Sequence, residues 1–117
     1  MITEKAQDLG RLIGQSSEYK ALQRARDRLG EEPDLKTHLD RLRDLSETLE
    51  RLAEQGQEPA PPQVEEYDRL LTAIQGSALY QGVVAAQSNF DKLMLRVNEQ
   101  ILDGMKKGST SSIITLG

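Results

Sequence analysis

Apolar side chains recur at intervals of three and four along most of this chain, the spacing of one face of an α-helix. Ile2, Ala6, Leu9 and Ile13 fall within a sector about 60° wide at 100° per residue, which predicts an amphipathic helix over roughly 3–15. Leu22, Ala25 and Leu29 would lie on the opposite side if that helix simply continued. The jump in phase falls at Ser16-Ser17-Glu18-Tyr19, and a serine hydroxyl accepts hydrogen bonds from the free amides of a helix start. A break there and a second short helix over about 17–29 follow. Gly30 suits a helix stop, and Pro33 suits the first turn of the next helix.

The clearest repeat comes next. Leu35, Leu42 and Leu49 stand seven apart, with Leu45 and Leu52 as a second track. A strict seven-residue repeat drifts about 20° per heptad on a straight helix, so it stays in contact by coiling around a partner. Gly56 ends this helix, and Gln57 to Pro62 reads as a stiff connection with three prolines. Val64, Tyr67, Leu71 and Ile74 then repeat the spacing, so the pattern predicts a helical hairpin, 34–55 against 63–76. A last helix over about 78–106 carries a main stripe of Leu79, Val83, Ala86, Phe90, Leu93, Val97 and Ile101, enough to pack it onto the hairpin. It also carries a thinner stripe of Val84, Leu95 and Leu102, roughly 140–160° away from Leu79. A helix apolar on two sides is expected to touch something on both, and in a chain this small the second partner is another copy. Gly108 is expected to end the helix, leaving 109–117 as a flexible small-residue tail with one apolar patch at Ile113-Ile114.

Composition narrows the chemistry. The 117 residues make one domain's worth of chain, read as a single helical domain over 1–108. There is no cysteine and only one histidine, so disulfides, thiolate metal sites and a Cys nucleophile are ruled out. One imidazole cannot supply the two or three that most catalytic zinc or di-iron sites need. No cofactor or metal is expected. The longest apolar run is Val83-Val84-Ala85-Ala86, against about 20 residues for a membrane span, and the start lacks the basic-then-apolar order of a secretory signal. A cytoplasmic location without membrane contact is the expectation. The net charge of −4 argues against a dedicated nucleic-acid binder. Charge is uneven: 1–30 holds six cations and four anions, 31–58 four cations and nine anions. Arg24 and Arg28 share a helix face as a weak basic cluster, with Arg26 pointing elsewhere; solvated helix surface is its simpler reading.

Catalytic patterns are missing. No nucleotide-binding loop fits, no Ser sits in a G-x-S-x-G elbow, and a nucleophile triad would hinge on His38 alone. His38 lies in the leucine seam, seven before Leu45, either as a polar residue at the mouth of the coil or as a register-setting, pH-responsive contact. Gly10 and Gly14 have the G-x-x-x-G spacing, which in an amphipathic helix marks close approach by a neighbour.

These helical segments resemble the YlbF/YmcA family of small bacterial regulators of competence and cell fate, nearest its short, cysteine-free YheA-like branch. The likeness rests on Ala6-Gln7-Asp8-Leu9-Gly10-Arg11-Leu12-Ile13, on Ser17-Glu18-Tyr19-Lys20-Ala21-Leu22 with Ala25, on the acidic start Glu32-Pro33-Asp34, and on Ala86 to Ile101. It spans about 3–105. The resemblance implies an all-α, self-associating fold and a non-enzymatic regulator. It implies as partners another helical regulator or the ribonuclease complex built on the endoribonuclease RNase Y. The iron–sulfur chemistry of cysteine-bearing relatives does not transfer to a chain without cysteine.

The expected object is therefore an all-α protein: a long helical hairpin with flanking helices, packed like a coiled coil and forming a dimer or higher homo-oligomer. Its expected contact residues are Leu42, Leu45, Leu49 and Leu52 on the seam, with Val84, Leu95 and Leu102 on the last helix. It would act as a regulatory adaptor that buries an apolar helix face on a partner and makes or breaks no bonds. The alternatives are a prefoldin-like holdase, against which the tip between Gly56 and Pro62 argues by offering no aromatic or Leu side chain, and a weak RNA-binding helical protein.

Overall fold

A computed structural model describes the backbone of residues 1–116 and the side chains of residues 1–110. Five helices follow one another: α1 (Ile2–Gly14), α2 (Ser17–Gly30), α3 (Pro33–Glu54), α4 (Pro61–Gln75) and α5 (Ala78–Leu116). The described residues contain no strand. The fold is all-α.

The helix boundaries have local causes. The break between α1 and α2 is where the phase jump puts it. Ser16 caps α2, accepting from the Tyr19 amide at 3.1 Å, while its hydroxyl donates back to the Ile13 carbonyl at 2.6 Å. The end of α3 is a Schellman turn: Gly56 adopts φ +69, its amide donates to the Ala53 carbonyl, and the Gln57 amide donates to the Leu52 carbonyl at 2.8 Å. Pro61 opens α4 at the position where a missing N–H costs nothing, and the Gln63 side chain accepts from the Ala60 amide at 2.9 Å. Ser77 caps α5 through the Tyr80 amide at 3.3 Å.

The connection over 55–60 is short enough that α4 returns along α3, and the two pack as the predicted hairpin. Arg41 clamps Glu66 across it with two hydrogen bonds, one of them 3.0 Å long. The last helix differs from expectation. Its main stripe packs chiefly on α2, with only a narrow contact to the hairpin through α4. Tyr19 and Phe90 stack at a tilt with centroids 5.6 Å apart, Arg26 donates to Gln87 at 2.7 Å, and Arg96 approaches Glu18 at 3.6 Å. Rising numbers on α2 meet falling numbers on α5, so the pair is antiparallel. A second difference is length: α5 runs unbroken through Gly108 to Leu116, so Gly108 does not end it. An interior glycine costs only about 1 kcal/mol relative to alanine, and Gly82 and Gly104 lie within the same helix. The Ile113-Ile114 patch lies outside the described side chains.

The core is small. Among the described residues, Leu22, Leu35, Leu45, Ile74 and Ala86 are the buried apolar side chains, so α2, α3, α4 and α5 all contribute while α1 contributes none. The molecule extends 70 × 37 × 20 Å with a radius of gyration of 21.6 Å. A compact chain of this length would have about 13 Å. Its accessible surface is 9018 Å². A compact monomer of 13.1 kDa would expose about 6,400 Å².

Candidate interaction surface

The two groups of expected contact residues have different fates. On α3, Leu45 is 3% exposed, and Leu42, Leu49 and Leu52 are half-buried. Their partner is the chain's own α4. Leu45 therefore belongs to the core and has no surface left for another molecule. The other three keep only part of theirs. On α5, the thinner stripe is open: Val84, Leu95 and Leu102 are 45%, 60% and 56% exposed, and Met105 extends the line. Val84 and Leu95 border a shallow groove of about 590 Å³ whose other walls include Tyr80, Val83, Asp91 and Lys92. This side of α5 stays open because α2 packs on the opposite side.

A second open apolar surface lies on α1, which sequence periodicity alone does not reveal. Ile2 and Leu12 are exposed, Leu9 and Ile13 are half-buried, and a Cβ placed on Gly10 or Gly14 would meet no atom within 4 Å. The close approach expected from their spacing is not made within the chain. Val64, expected on the hairpin's inner stripe, is exposed at the outer end of α4.

The polar clusters are open and solvated. Arg24 borders a groove between α2 and α5 together with Lys92, Arg96 and Glu18. Arg26 is engaged by Gln87, and Arg28 is exposed near the end of α2. Ser17 donates to Glu18 at 2.7 Å, and this hydrogen bond is the main reason the Glu18 carboxyl titrates below its ordinary value. Its own backbone amide and the nearby Arg96 act in the same direction. The Glu66 carboxyl is likewise held low, first by the Arg41 hydrogen bond and then by the charges of Arg41 and Arg69. His38 is half-buried on α3. Among the described residues, no cluster of three His, Asp or Glu side chains could hold a metal ion, and no helix is long and apolar enough to cross a membrane. What this chain presents is apolar helix surface, which has the chemistry of docking.

A comparison with curated proteins finds no match. Residues 2–106 match the family described as control of competence regulator ComK, YlbF/YmcA, from the first residue of α1 to the middle turns of α5. That match covers nearly the whole chain and reaches into all five helices, and the chain belongs to this YlbF/YmcA family.

Proposed function

We propose that the protein is a non-enzymatic regulatory adaptor of the cytoplasm, self-associating as a dimer or higher oligomer and acting by burying an apolar helix face on a partner. The observation that carries this reading is the open stripe Val84, Leu95, Leu102 and Met105 on α5. Four large apolar side chains along one face of a long helix are costly in water, at about 1.5–3 kcal/mol for each leucine left exposed rather than buried. The family match supports a regulatory role. The partner class that the resemblance implies is an RNA-processing complex built on an endoribonuclease.

The test is a pull-down with a tagged chain, read by mass spectrometry against Leu95→Glu/Leu102→Glu. The adaptor reading expects components of the ribonuclease complex with the unmodified chain and their loss with the variant. Equal recovery by both would refute the assignment of the α5 stripe. A holdase would instead suppress aggregation of an unfolded client, and the adaptor does not.

A further inference from the structure

The least supported element of the fold is α1. Its apolar stripe, Ile2, Ala6, Leu9 and Ile13, is the face that should be buried, yet no α1 residue is buried and Ile2 is 86% exposed. The helix turns away at Gln15-Ser16 and runs out alongside the second half of α5 without packing on it. No Cα of α1 lies within 8 Å of one in α5, whereas directly packed helices have their axes 8–10 Å apart and their nearest backbones closer still. Between them is an open cleft of about 380 Å³, with Leu9 on one wall and Val97 and Ile101 on the other. Arg96 and Gln100 edge it, and Met105 continues exposed along α5 beyond.

A 13-residue helix in water without a packing partner is marginal, so the face must find cover. An occupant of this cleft needs an amphipathic helix with apolar residues at intervals of four, three and four. Among the described residues, α1 has that spacing in Ile2, Ala6, Leu9 and Ile13. We propose that two copies associate by each laying its α1 across the Val97 and Ile101 face of the other's α5, in the place that the other's own α1 leaves, so that α1 is an exchanged arm. This inference rests on the self-association reading and names the segment that performs it. A two-fold axis satisfies the arrangement, because each copy offers the same arm and the same face. The area fits as well. Two chains together expose about 5,200 Å² beyond two compact monomers of that mass, enough to supply the roughly 2,000–5,000 Å² that permanent homodimers bury in total.

The decisive variant is Ile2→Glu/Ala6→Glu, because both side chains are exposed in the single chain and a charge there costs the monomer nothing. Sedimentation equilibrium should show the dimer dissociation constant raised by about tenfold or more, while circular dichroism loses no more helix than the 13 residues of α1, which fray once they are uncovered. The control Gln7→Glu, on the opposite side of α1, should leave it unaltered. If Ile2→Glu/Ala6→Glu dimerises like the unmodified chain while Leu95→Glu/Leu102→Glu does not, the exchanged arm is refuted and the self-association reading stands. An unmodified chain that is monomeric refutes both. A second measurement uses the absence of cysteine. Ala6→Cys/Ile101→Cys, oxidised and run without reductant, should give a covalent dimer. A bridged monomer would mean that α1 closes on its own α5, and the proposal would fall.

Discussion

Replacing Leu95 and Leu102 by glutamate tests the docking stripe at its centre. The two side chains are 60% and 56% exposed in the single chain, so the monomer loses little when they change. In a symmetric dimer that covers them, four leucines go from partly to fully buried. Full burial is worth about 1.5–3 kcal/mol per leucine, and somewhat more than half of that remains to be gained at each site, about 4–7 kcal/mol for the set. Glutamate forfeits this and adds the cost of desolvating a carboxylate. The dimer dissociation constant should therefore rise several-hundredfold or more, since about 1.4 kcal/mol is a factor of ten. Light scattering coupled to size exclusion reads the mass, and circular dichroism confirms that helix content is kept. Unchanged mass with unchanged helicity would refute the reasoning, because the stripe would then be exposed in the assembled protein as well.

Other consequences follow from the same structure. Ile74→Ala empties a site that is 1% exposed and should lower unfolding stability by about 2–5 kcal/mol in denaturant titrations, a large loss in a core with so few buried side chains. Gly56→Ala forces an alanine to φ +69 in the turn that ends α3, with an expected loss of about 1–2 kcal/mol by thermal unfolding, while Gly10→Ala, at a site with open space, should lose nothing. The Glu66 carboxyl is depressed below its ordinary value of 4.5 in the folded chain, so it binds a proton less readily there than when unfolded. Its contribution to stability is complete above pH 4.5 and is lost as pH falls through the lower folded value. Glu66→Gln should flatten that part of the stability–pH curve, and an unaltered curve would mean that the Arg41 clamp does not persist in solution.

Much of the fold can be read from the sequence because the apolar spacing is regular and its interruptions are chemical. The phase jump at Ser16 marks a real cap, and the stop at Gly56 a real left-handed turn, since in both cases side chain or backbone supplies hydrogen bonds that the helix end lacks. What periodicity leaves open is which apolar face meets which. The main stripe of α5 fits the hairpin or α2 equally well by spacing, and only the Tyr19–Phe90 stack and the polar links at Arg26 and Glu18 show that α2 is the neighbour. Gly108 misleads for a related reason. A glycine stops a helix when it turns left-handed, as Gly56 does, and merely weakens it otherwise.

The contact surface is legible in part. Heptad leucines announce that a helix packs, and say nothing of whether the partner lies within the chain. Leu45 packs against α4 of its own hairpin and is lost to the surface, whereas Val84, Leu95 and Leu102 stand open because α2 takes the other side of α5. The exposure of α1 is least legible, since its stripe is indistinguishable from that of a core helix until its surroundings are known.

The central claim is that a single copy exposes more apolar surface than it can hide and covers the surplus by association. The mass of the unmodified chain in dilute solution, by sedimentation equilibrium at micromolar concentration, addresses it most directly. The account predicts at least twice the 13.1 kDa of one chain. A homogeneous 13.1 kDa particle with the 21.6 Å radius of gyration retained would contradict it, for the leucines of α5 and the stripe of α1 would then face water with no partner.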